Sequence, residues 1–280
     1  MGVLDEILAN KRLEIEAARV RLRQADLEAA CRALGPAREL EPALRPAASG
    51  SVRLIAEVKK ASPSRGTLQA VLDPAAQARA YAGGGASAVS VLTDEKYFRG
   101  TLEDLVAVRG AVELPLLRKE FILDEYQLWE SRAAGADAVL LIVAALDDAR
   151  LRDLHHAAKG VGLSTLVEVH TAEELERAVA LGAPVIGVNN RDLHTLETTL
   201  QPSLDLLPRI PRAHTAVSES GIFTRADVLR VVEAGAHAVL VGEALVRADD
   251  VGAKVRELTL WDDPAHRVET EPRGPRRDER

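Results

Sequence analysis

Cysteine, aromatic residues and long apolar runs are scarce in this chain of 280 residues. It has one cysteine, Cys31, and aromatic residues make up only 3% of it. A single cysteine excludes an intrachain disulfide and a cysteine-based zinc site. It also indicates a reducing compartment. We expect Cys31 to be a small buried apolar residue. No apolar run approaches the roughly 20 residues that a bilayer span needs, and residues 1–24 mix acids and bases instead of forming a signal peptide. We therefore expect a cytoplasmic protein.

An excess of basic charge is also lacking. The 36 basic and 43 acidic residues give a formal net charge of −7, which argues against nucleic acid or an anionic membrane as the partner. The seven histidines show no zinc-ligand spacing and no HExxH motif, and neither a Walker loop nor a G-x-S-x-G elbow occurs. We expect no metal.

The composition divides the chain into three segments. Apolar residues recur at three- and four-residue steps over residues 3–34 and prolines follow, so residues 1–50 predict a helical extension that packs on the main core. Residues 51–260 alternate short apolar runs with helical stretches. Residues 261–280 are rich in charge and proline and predict a disordered tail.

Residues 51–260 predict an α/β fold of eight strands. Most of the apolar runs are apolar throughout, as in parallel strands that are covered on both faces. The runs are Val52–Val58, Ala88–Leu92, Leu114–Leu117, Ala138–Val143, Ser164–Val169, Val185–Val188, His214–Val217 and His237–Val241.

A repeat supports a (β/α)8 TIM barrel. Gly85, Gly135, Gly182 and Gly235 each join a helix end to an even-numbered strand, at spacings of 50, 47 and 53 residues, or two βα units per step. The alternative, an open doubly wound sheet, would carry a glycine-rich fingerprint after its first strand. The first strand ends in charged residues instead.

Polar residues gather at the carboxyl ends of the predicted strands, where barrels of this kind place their active sites. The fourth strand ends in apolar residues and offers a wall for an apolar part of the substrate. The polar set is Glu57, Lys59, Ser62, Thr93, Asp94, Lys119, Glu120, Glu168, Asn189, Asn190, Arg191, Ser218, Glu219, Ser220 and Glu243.

Two lysines stand out because the chain prefers arginine, with 29 Arg against 7 Lys. Lys59 and Lys119 both lie at strand ends. A lysine can give up a proton where arginine cannot, so these residues are candidate general acids, and Glu168 is a candidate base. The alternative is a structural ion pair of Lys119 with Glu57 or Glu168.

Glycines after the last two strands indicate a phosphate site. Gly221 follows the seventh strand and Gly242 the eighth, where backbone N–H groups and a short helix often bind phosphate in barrels. We expect the N–H of Glu243 to contribute while its carboxylate points away.

Six motifs in this chain resemble those of the indole-3-glycerol-phosphate synthase family, over the chain from the N-terminal helix to about residue 258. The resemblance implies a helical extension on a barrel. The motifs are Ile55-Ala-Glu-Val-Lys-Lys-Ala-Ser-Pro-Ser-Arg-Gly66, Leu117-Arg-Lys-Glu-Phe-Ile122, Leu166-Val-Glu-Val169, Gly187-Val-Asn-Asn-Arg-Asp-Leu193, Val217-Ser-Glu-Ser-Gly-Ile222 and Val241-Gly-Glu-Ala-Leu245.

The resemblance also implies a reaction and roles for individual residues. The phosphorylated substrate would be 1-(2-carboxyphenylamino)-1-deoxyribulose 5-phosphate, converted to indole-3-glycerol phosphate, carbon dioxide and water without a cofactor. Lys119 would be the general acid, Glu168 its acid/base partner and Lys59 a second candidate acid. The remaining residues would orient these groups or bind substrate: Glu57, Asn189 and Ser220 at the hydroxyls, Arg191 at the anionic end, Ser62 and Phe121 at the anthranilate ring, and Gly221, Gly242 and Glu243 at the phosphate.

Two other functions stay open at this point. One is that of a sister phosphate-binding barrel, phosphoribosylanthranilate isomerase, whose chemistry is of the Cys/Asp acid–base kind. Cys31 counts against it, because this residue lies in the N-terminal helix, away from any strand end. A non-catalytic scaffold barrel would be favoured if the strand-end charges were lost, and they are present. We expect a monomer, and leave weak contact with other tryptophan-pathway enzymes open.

Overall fold

Eight parallel strands close into a barrel in the computed structural model, which describes residues 2–46, 52–62, 66–68, 72–193 and 195–260. The first strand pairs with both the second and the last, which closes the barrel and rules out the open doubly wound sheet. The strands are β1 Arg53–Val58, β2 Ala88–Leu92, β3 Leu116–Lys119, β4 Ala138–Ile142, β5 Ser164–Val169, β6 Val185–Asn189, β7 Thr215–Glu219 and β8 Ala238–Val241.

Within the residues described, three helices precede the first strand of the barrel, and the other helices follow its strands. Short 3₁₀ helices at Val143–Ala145 and Leu207–Arg209, and a two-stranded hairpin of Ala61–Ser62 and Gly66–Thr67, complete the described elements. The α-helices are α1 Val3–Arg21, α2 Gln24–Arg32, α3 Leu40–Leu44, α4 Pro74–Gly84, α5 Glu95–Phe98, α6 Leu102–Arg109, α7 Glu125–Ala133, α8 Asp148–Val161, α9 Ala172–Leu181, α10 Gln201–Leu206, α11 Arg225–Glu233, α12 Glu243–Val246 and α13 Val251–Leu258.

Strand boundaries differ from the predicted ones by up to two residues. The third strand was expected at Leu114–Leu117 and lies at Leu116–Lys119, because Pro115 has no N–H to donate to the ladder. The seventh strand continues to Glu219, which pairs with Asn189 of β6. Lys119 and Glu219 are therefore strand residues, held more rigidly than loop residues would be.

The helical periodicity over residues 3–34 corresponds to two helices, because the chain breaks between α1 and α2. Leu22 is extended, with φ −142° and ψ 119°. The Tyr126 hydroxyl donates to the carbonyl oxygens of Ala18 and Leu22 at 3.0 and 2.9 Å. The Ala18 carbonyl already accepts the Leu22 N–H, so it is the Leu22 carbonyl, just beyond α1, that gains a partner. The break also lets Leu27 of α2 pack beside Ile15 and Tyr126.

Strand residues alternate between two apolar layers. One layer fills the barrel interior and includes Ile55, Leu117 and Leu166, while the other lies between the strands and the outer helices. Because both faces are covered, the strands read as continuous apolar runs. The alternation also determines which residues beyond each strand point into the barrel mouth.

The N-terminal segment contacts both ends of the barrel. Leu40 and Leu44 of α3 join the interior layer, and the Leu40 N–H donates to Ser164 Oγ at the start of β5. At the other end, Lys11 of α1 is ion-paired with Asp94 and Glu120, which follow β2 and β3. This packing agrees with the expected helical extension, while its boundary at residue 50 and the tail 261–280 lie outside the described residues.

None of the helices in the described ranges is long and apolar enough to cross a membrane.

Candidate active site

A pocket opens at the carboxyl ends of the strands. It collects nearly all of the residues that were singled out for the site, and their positions follow from the two-residue alternation of strands. Lys119, for example, follows the interior residue Leu117 at a two-residue step, as Glu168 follows Leu166. The predicted site residues that line it are Glu57, Lys59, Lys119, Phe121, Glu168, Asn189, Arg191, Ser220, Gly221, Gly242 and Glu243.

Among the residues to which the family resemblance gives a role, Ser62 is the one that the pocket lining does not include. Four members of the wider polar set also lie outside the lining: Thr93, Asp94, Asn190 and Ser218. The backbone of Ser62 lies in the short hairpin, and its side chain is outside the described part of the chain. Its role at the anthranilate ring therefore stays a prediction.

Lys119 holds the centre of the pocket between two buried carboxylates. Its Nζ lies 2.6 Å from Glu168 Oε2 and 2.5 Å from Glu219 Oε2, and its side chain is 12% exposed. Burial alone would lower the pKa of Lys119, but Glu168, Glu219 and Glu57 outweigh it and raise the pKa above the ordinary range. The free site thus keeps the ammonium proton in place. The expected ion pair with Glu168 exists, and Glu219 rather than Glu57 is the second partner.

The two carboxylates on Lys119 differ in proton affinity. Burial raises the pKa of Glu219 to about 7, with Glu168 and Glu57 adding to the effect of burial and Lys119 opposing it. The pKa of Glu168 is lowered despite burial, because Lys119, His170 and a hydrogen bond from Asn189 favour its ionised form. Carboxylates whose environments push their pKa values apart are typical of acid–base sites.

Glu219 is the residue whose part in the site was missed. It belongs to the polar set at the strand ends, but the seventh strand was expected to end at Val217. Its Oε1 is buried and has no hydrogen-bond partner among the described residues. A Cβ on Gly187 would lie 2.0 Å from that oxygen. Glycine at 187 therefore makes room for the Glu219 carboxylate inside the barrel.

A second ion pair lies beside the first. Lys59 Nζ is 3.3 Å from Glu57 Oε1 and 5.8 Å from the centroid of the Phe98 ring. Phe98, on α5, is 6.4 Å from Phe121 between ring centroids. The two rings form an aromatic surface next to a lysine, a surface that suits an aryl group. Phe98 was missed because α5 is a one-turn helix in a connection.

Asn189 and Asn190 arrange the polar side of the pocket. Asn189 Oδ1 accepts the backbone N–H of Arg191 at 3.0 Å, so its amide nitrogen is the group that donates to Glu168. Asn190 Nδ2 donates to the carbonyl oxygen of Ser220 at 3.0 Å. Ser220 has φ +66°, a left-handed conformation that costs about 1–2 kcal/mol for a residue with a side chain. The loop after β7 is thereby fixed in a strained form at the pocket.

The expected phosphate residues lie together at one side of the pocket. Gly221 follows β7, and Gly242 precedes the short helix α12, which begins at Glu243. The carboxylate of Glu243 pairs with Arg247 at 3.2 Å. A Cβ on Gly242 would meet Glu57 Oε1 at 2.6 Å. The position of Glu57 is therefore a steric reason for glycine at 242, independent of any role in phosphate binding.

The fold and this pocket define a class: a (β/α)8-barrel enzyme with paired lysines and carboxylates at the mouth of the barrel. The family model for indole-3-glycerol phosphate synthase matches residues 4–258. The chain belongs to the indole-3-glycerol phosphate synthase family. Its length beyond residue 258 falls outside the match.

Curated relatives support the same family. An indole-3-glycerol phosphate synthase from Nocardioides sp. is 52% identical over 259 residues, covering 92% of this chain and 98% of the relative. One from Roseiflexus sp. is 50% identical over 264 residues, covering 91% and 97%. The shared length includes the extension as well as the barrel.

Solved structures of low identity support the fold. A 3-hexulose-6-phosphate synthase from Salmonella typhimurium aligns with a TM-score of 0.60 at 16% identity, covering 75% of this chain and 97% of that chain. A thiamine phosphate pyrophosphorylase from Pyrococcus furiosus aligns with a TM-score of 0.57 at 17% identity, covering 79% and 96%. At these identities the likeness concerns the barrel alone.

Cys31 lies on α2, away from the pocket, as expected. Its thiol donates to the carbonyl oxygen of Trp129 at 3.5 Å, and it is half-buried rather than fully buried. Burial raises the pKa of the thiol, so it is a poor acid–base group at neutral pH. The described ranges contain no group of three His, Cys, Asp or Glu side chains that could hold a metal ion. That the enzyme needs no cofactor stays a prediction.

Proposed function

We propose that the pocket closes the indole ring of 1-(2-carboxyphenylamino)-1-deoxyribulose 5-phosphate, releasing carbon dioxide and water to give indole-3-glycerol phosphate. Family membership makes the chain a carbon–carbon lyase of tryptophan biosynthesis. The observation that carries the assignment to this pocket is the position of the Lys119 ammonium. It is held 2.6 Å from Glu168 in a cavity whose lining includes aromatic side chains and glycines.

Lys119 is the proposed general acid for ring closure. As the aryl carbon attacks the ketone, negative charge develops on the ketone oxygen, and an ammonium there can donate its proton. A raised lysine pKa does not prevent this step, because an alkoxide is a far stronger base than an amine. The carboxylates of Glu168 and Glu219 keep the ammonium protonated until substrate arrives. Lys59 is the second candidate acid.

Glu168 is the proposed acid/base partner in the loss of water. Its carboxylate is ionised and fixed from two sides, by Lys119 and by Asn189, so it is ready to accept a proton. Glu57, Asn189 and Ser220 would orient these groups and bind the substrate hydroxyls. Because these charged and polar groups are already in position, they need little rearrangement as charge develops during the reaction.

The two ends of the substrate would lie on opposite sides of the lysines. Phe121 provides the apolar surface for the anthranilate ring, with Ser62 beside it. Arg191 supports the anionic end. Backbone N–H groups of Gly221, Gly242 and Glu243 would bind the phosphate, since the start of a helix offers unpaired donors.

Turnover by the purified chain tests this function. We expect conversion of the carboxyphenylamino substrate to indole-3-glycerol phosphate with one carbon dioxide per product, and rescue of growth without tryptophan in a strain that lacks the synthase. Sulfate or inorganic phosphate should compete with substrate. Absence of both turnover and rescue would contradict the proposal, and retention of an isomerase activity alone would favour the sister barrel.

We further propose that the chain works as a monomer in the cytoplasm on this small phosphorylated molecule, without nucleic acid or membrane as partner. The acidic composition supports the part of this proposal that concerns nucleic acid and anionic membranes. Sedimentation of the chain alone at micromolar concentration would test the monomer. The same measurement on mixtures with other enzymes of the pathway would detect weak contact.

A further inference from the structure

His170 lies behind the catalytic carboxylate and has no part in the function described so far. It follows β5 directly, at a two-residue step from Glu168, so both side chains project from the same side of the strand. Its imidazole Nε2 is 3.5 Å from Glu168 Oε1, and the side chain is 13% exposed. It does not line the pocket. The pocket lining therefore includes Glu168 and leaves out the histidine beside it.

The opposite edge of the imidazole is fixed by Glu174 of α9. Glu174 Oε2 accepts the backbone N–H of His170 at 2.7 Å and lies 3.2 Å from His170 Nδ1. An ionised carboxylate can only accept hydrogen bonds, so Nδ1 carries a proton. The ring orientation and the protonation of one nitrogen are thus determined by a single contact.

For the other ring nitrogen, Nε2, the surroundings favour the protonated state. Nε2 is buried and has no hydrogen-bond partner within the described residues. With Nδ1 protonated, a bare Nε2 would turn its lone pair toward the oxygen of an ionised Glu168. A proton between Nε2 and Oε1 removes that repulsion, whether the imidazolium or the carboxyl group formally holds it.

The surrounding charges favour that shared proton. The groups that face the imidazole are Glu168 on its own strand, Glu174 on α9 and Glu219 on β7, and all three raise the pKa of His170 although burial lowers it. Lys119, on β3, contacts the far oxygen of Glu168.

We propose that His170 is a positioning residue that holds, at Nε2, the proton that Glu168 exchanges with substrate, and that Glu174 fixes the imidazole for this task. This proposal rests on the proposed function in assigning acid–base work to Glu168. Loss of water breaks one carbon–oxygen bond and moves one proton from the ring intermediate to the leaving hydroxyl. Glu168 delivers the proton held at Nε2 to the leaving hydroxyl, then takes the proton from the ring intermediate and returns it to Nε2, so no proton is gained or lost overall.

The pH dependence of kcat in His170→Gln tests this. Glutamine can place an amide near the position of Nε2 but cannot ionise. Removing an opposite charge near a carboxylate raises its pKa by about 1–3 units, so the acid limb of kcat should move up by about that amount. KM should change less than about twofold, because His170 does not contact the pocket.

His155→Gln is the matched control. His155 is a half-buried histidine on α8 whose Nδ1 lies 2.9 Å from Thr165 Oγ1, away from the pocket. Its variant should keep the wild-type profile. If His170→Gln loses stability or kcat without a shift of the acid limb, its role is structural and the proposal is wrong.

A second measurement does not depend on turnover. The imidazole of His170 can be titrated by NMR in the full-length chain, and Glu168→Gln should lower its pKa by about one unit or more, because an opposite charge is removed. An unchanged imidazole titration would overturn proton sharing. If the wild-type chain lacks synthase turnover, the proposed function fails, while this titration still decides the Glu168–His170 pair.

Discussion

Replacing Lys11 with methionine tests how the N-terminal helix α1 is held on the barrel mouth. The Lys11 side chain is 4% exposed, and its Nζ lies 2.6 Å from Glu14 Oε2, 3.0 Å from Asp94 Oδ2 and 2.9 Å from Glu120 Oε1. Methionine keeps most of the apolar volume but leaves the Asp94 side chain, 0% exposed, without the Lys11 ammonium, and leaves Glu120, 2% exposed, with the more distant Arg118 at 3.8 Å. Breaking a buried ion pair by removing one partner typically costs about 3–5 kcal/mol.

Thermal or urea unfolding of the full chain measures this cost. At about 2–4 °C per kcal/mol for a domain near this size, the expected loss lowers Tm by roughly 6–20 °C. Lys254→Met is the matched control, because Lys254 pairs at 2.8 Å with Glu257, whose side chain is 39% exposed. Exposed pairs contribute about 0–1 kcal/mol. Equal losses in the two variants would refute the assignment of Lys11 as a buried anchor.

The sign of the pH dependence follows from the same contacts. Burial would lower the pKa of Lys11, but Glu120 and Asp94 raise it above the ordinary lysine value. A group whose folded pKa is raised contributes fully below its unfolded pKa and loses that contribution as the pH rises through the folded value. The difference between wild type and Lys11→Met should therefore be at its full value at pH 7 and shrink under strongly alkaline conditions.

Five further variants, at four positions, test the pocket. Lys119→Met should lower kcat by about 10²–10⁴-fold in a chain that still folds, and Lys119→Arg should not rescue it because arginine keeps its proton; steady-state rates within about threefold of wild type would move the acid role elsewhere. Glu168→Gln should lower kcat much more than it raises KM, and a change confined to KM would make Glu168 a binding residue. Gly242→Val should raise KM more than Glu243→Ala does, because a side chain at 242 would collide with Glu57 and shield the backbone donors; normal substrate binding by Gly242→Val would place the phosphate elsewhere.

The barrel and most of its mouth could be predicted from sequence because both depend on local patterns. The four repeated glycines have φ between +75° and +112° in the structure, a conformation that glycine adopts without strain. The site residues follow interior strand residues at two-residue steps, so a correct strand predicts them. The predicted strands at both β3 and β7 stopped two residues short. Lys119 was still singled out because lysine is scarce in this chain, whereas Glu219 is one of 43 acidic residues.

The features that could not be predicted depend on contacts between distant segments. Nothing near Lys11 in the sequence indicates that Asp94 and Glu120 will face it. The end of α1 depends on the hydroxyl of Tyr126, which reaches the Leu22 carbonyl from another helix. Gly242 looked like a phosphate residue, and only the position of Glu57 shows why a Cβ does not fit there.

The carboxylates around Lys119 and Lys11 have a consequence for chemical reactivity. An amine acylates only in its neutral form, and both lysines have a raised pKa and restricted access. Lys96 and Lys159, by contrast, are exposed. An acylating reagent at mild pH should therefore label the exposed amines and spare the two held ones. Rapid labelling of Lys119 would mean that its carboxylate partners had moved away, so the rate of covalent modification reports whether the resting pocket is assembled.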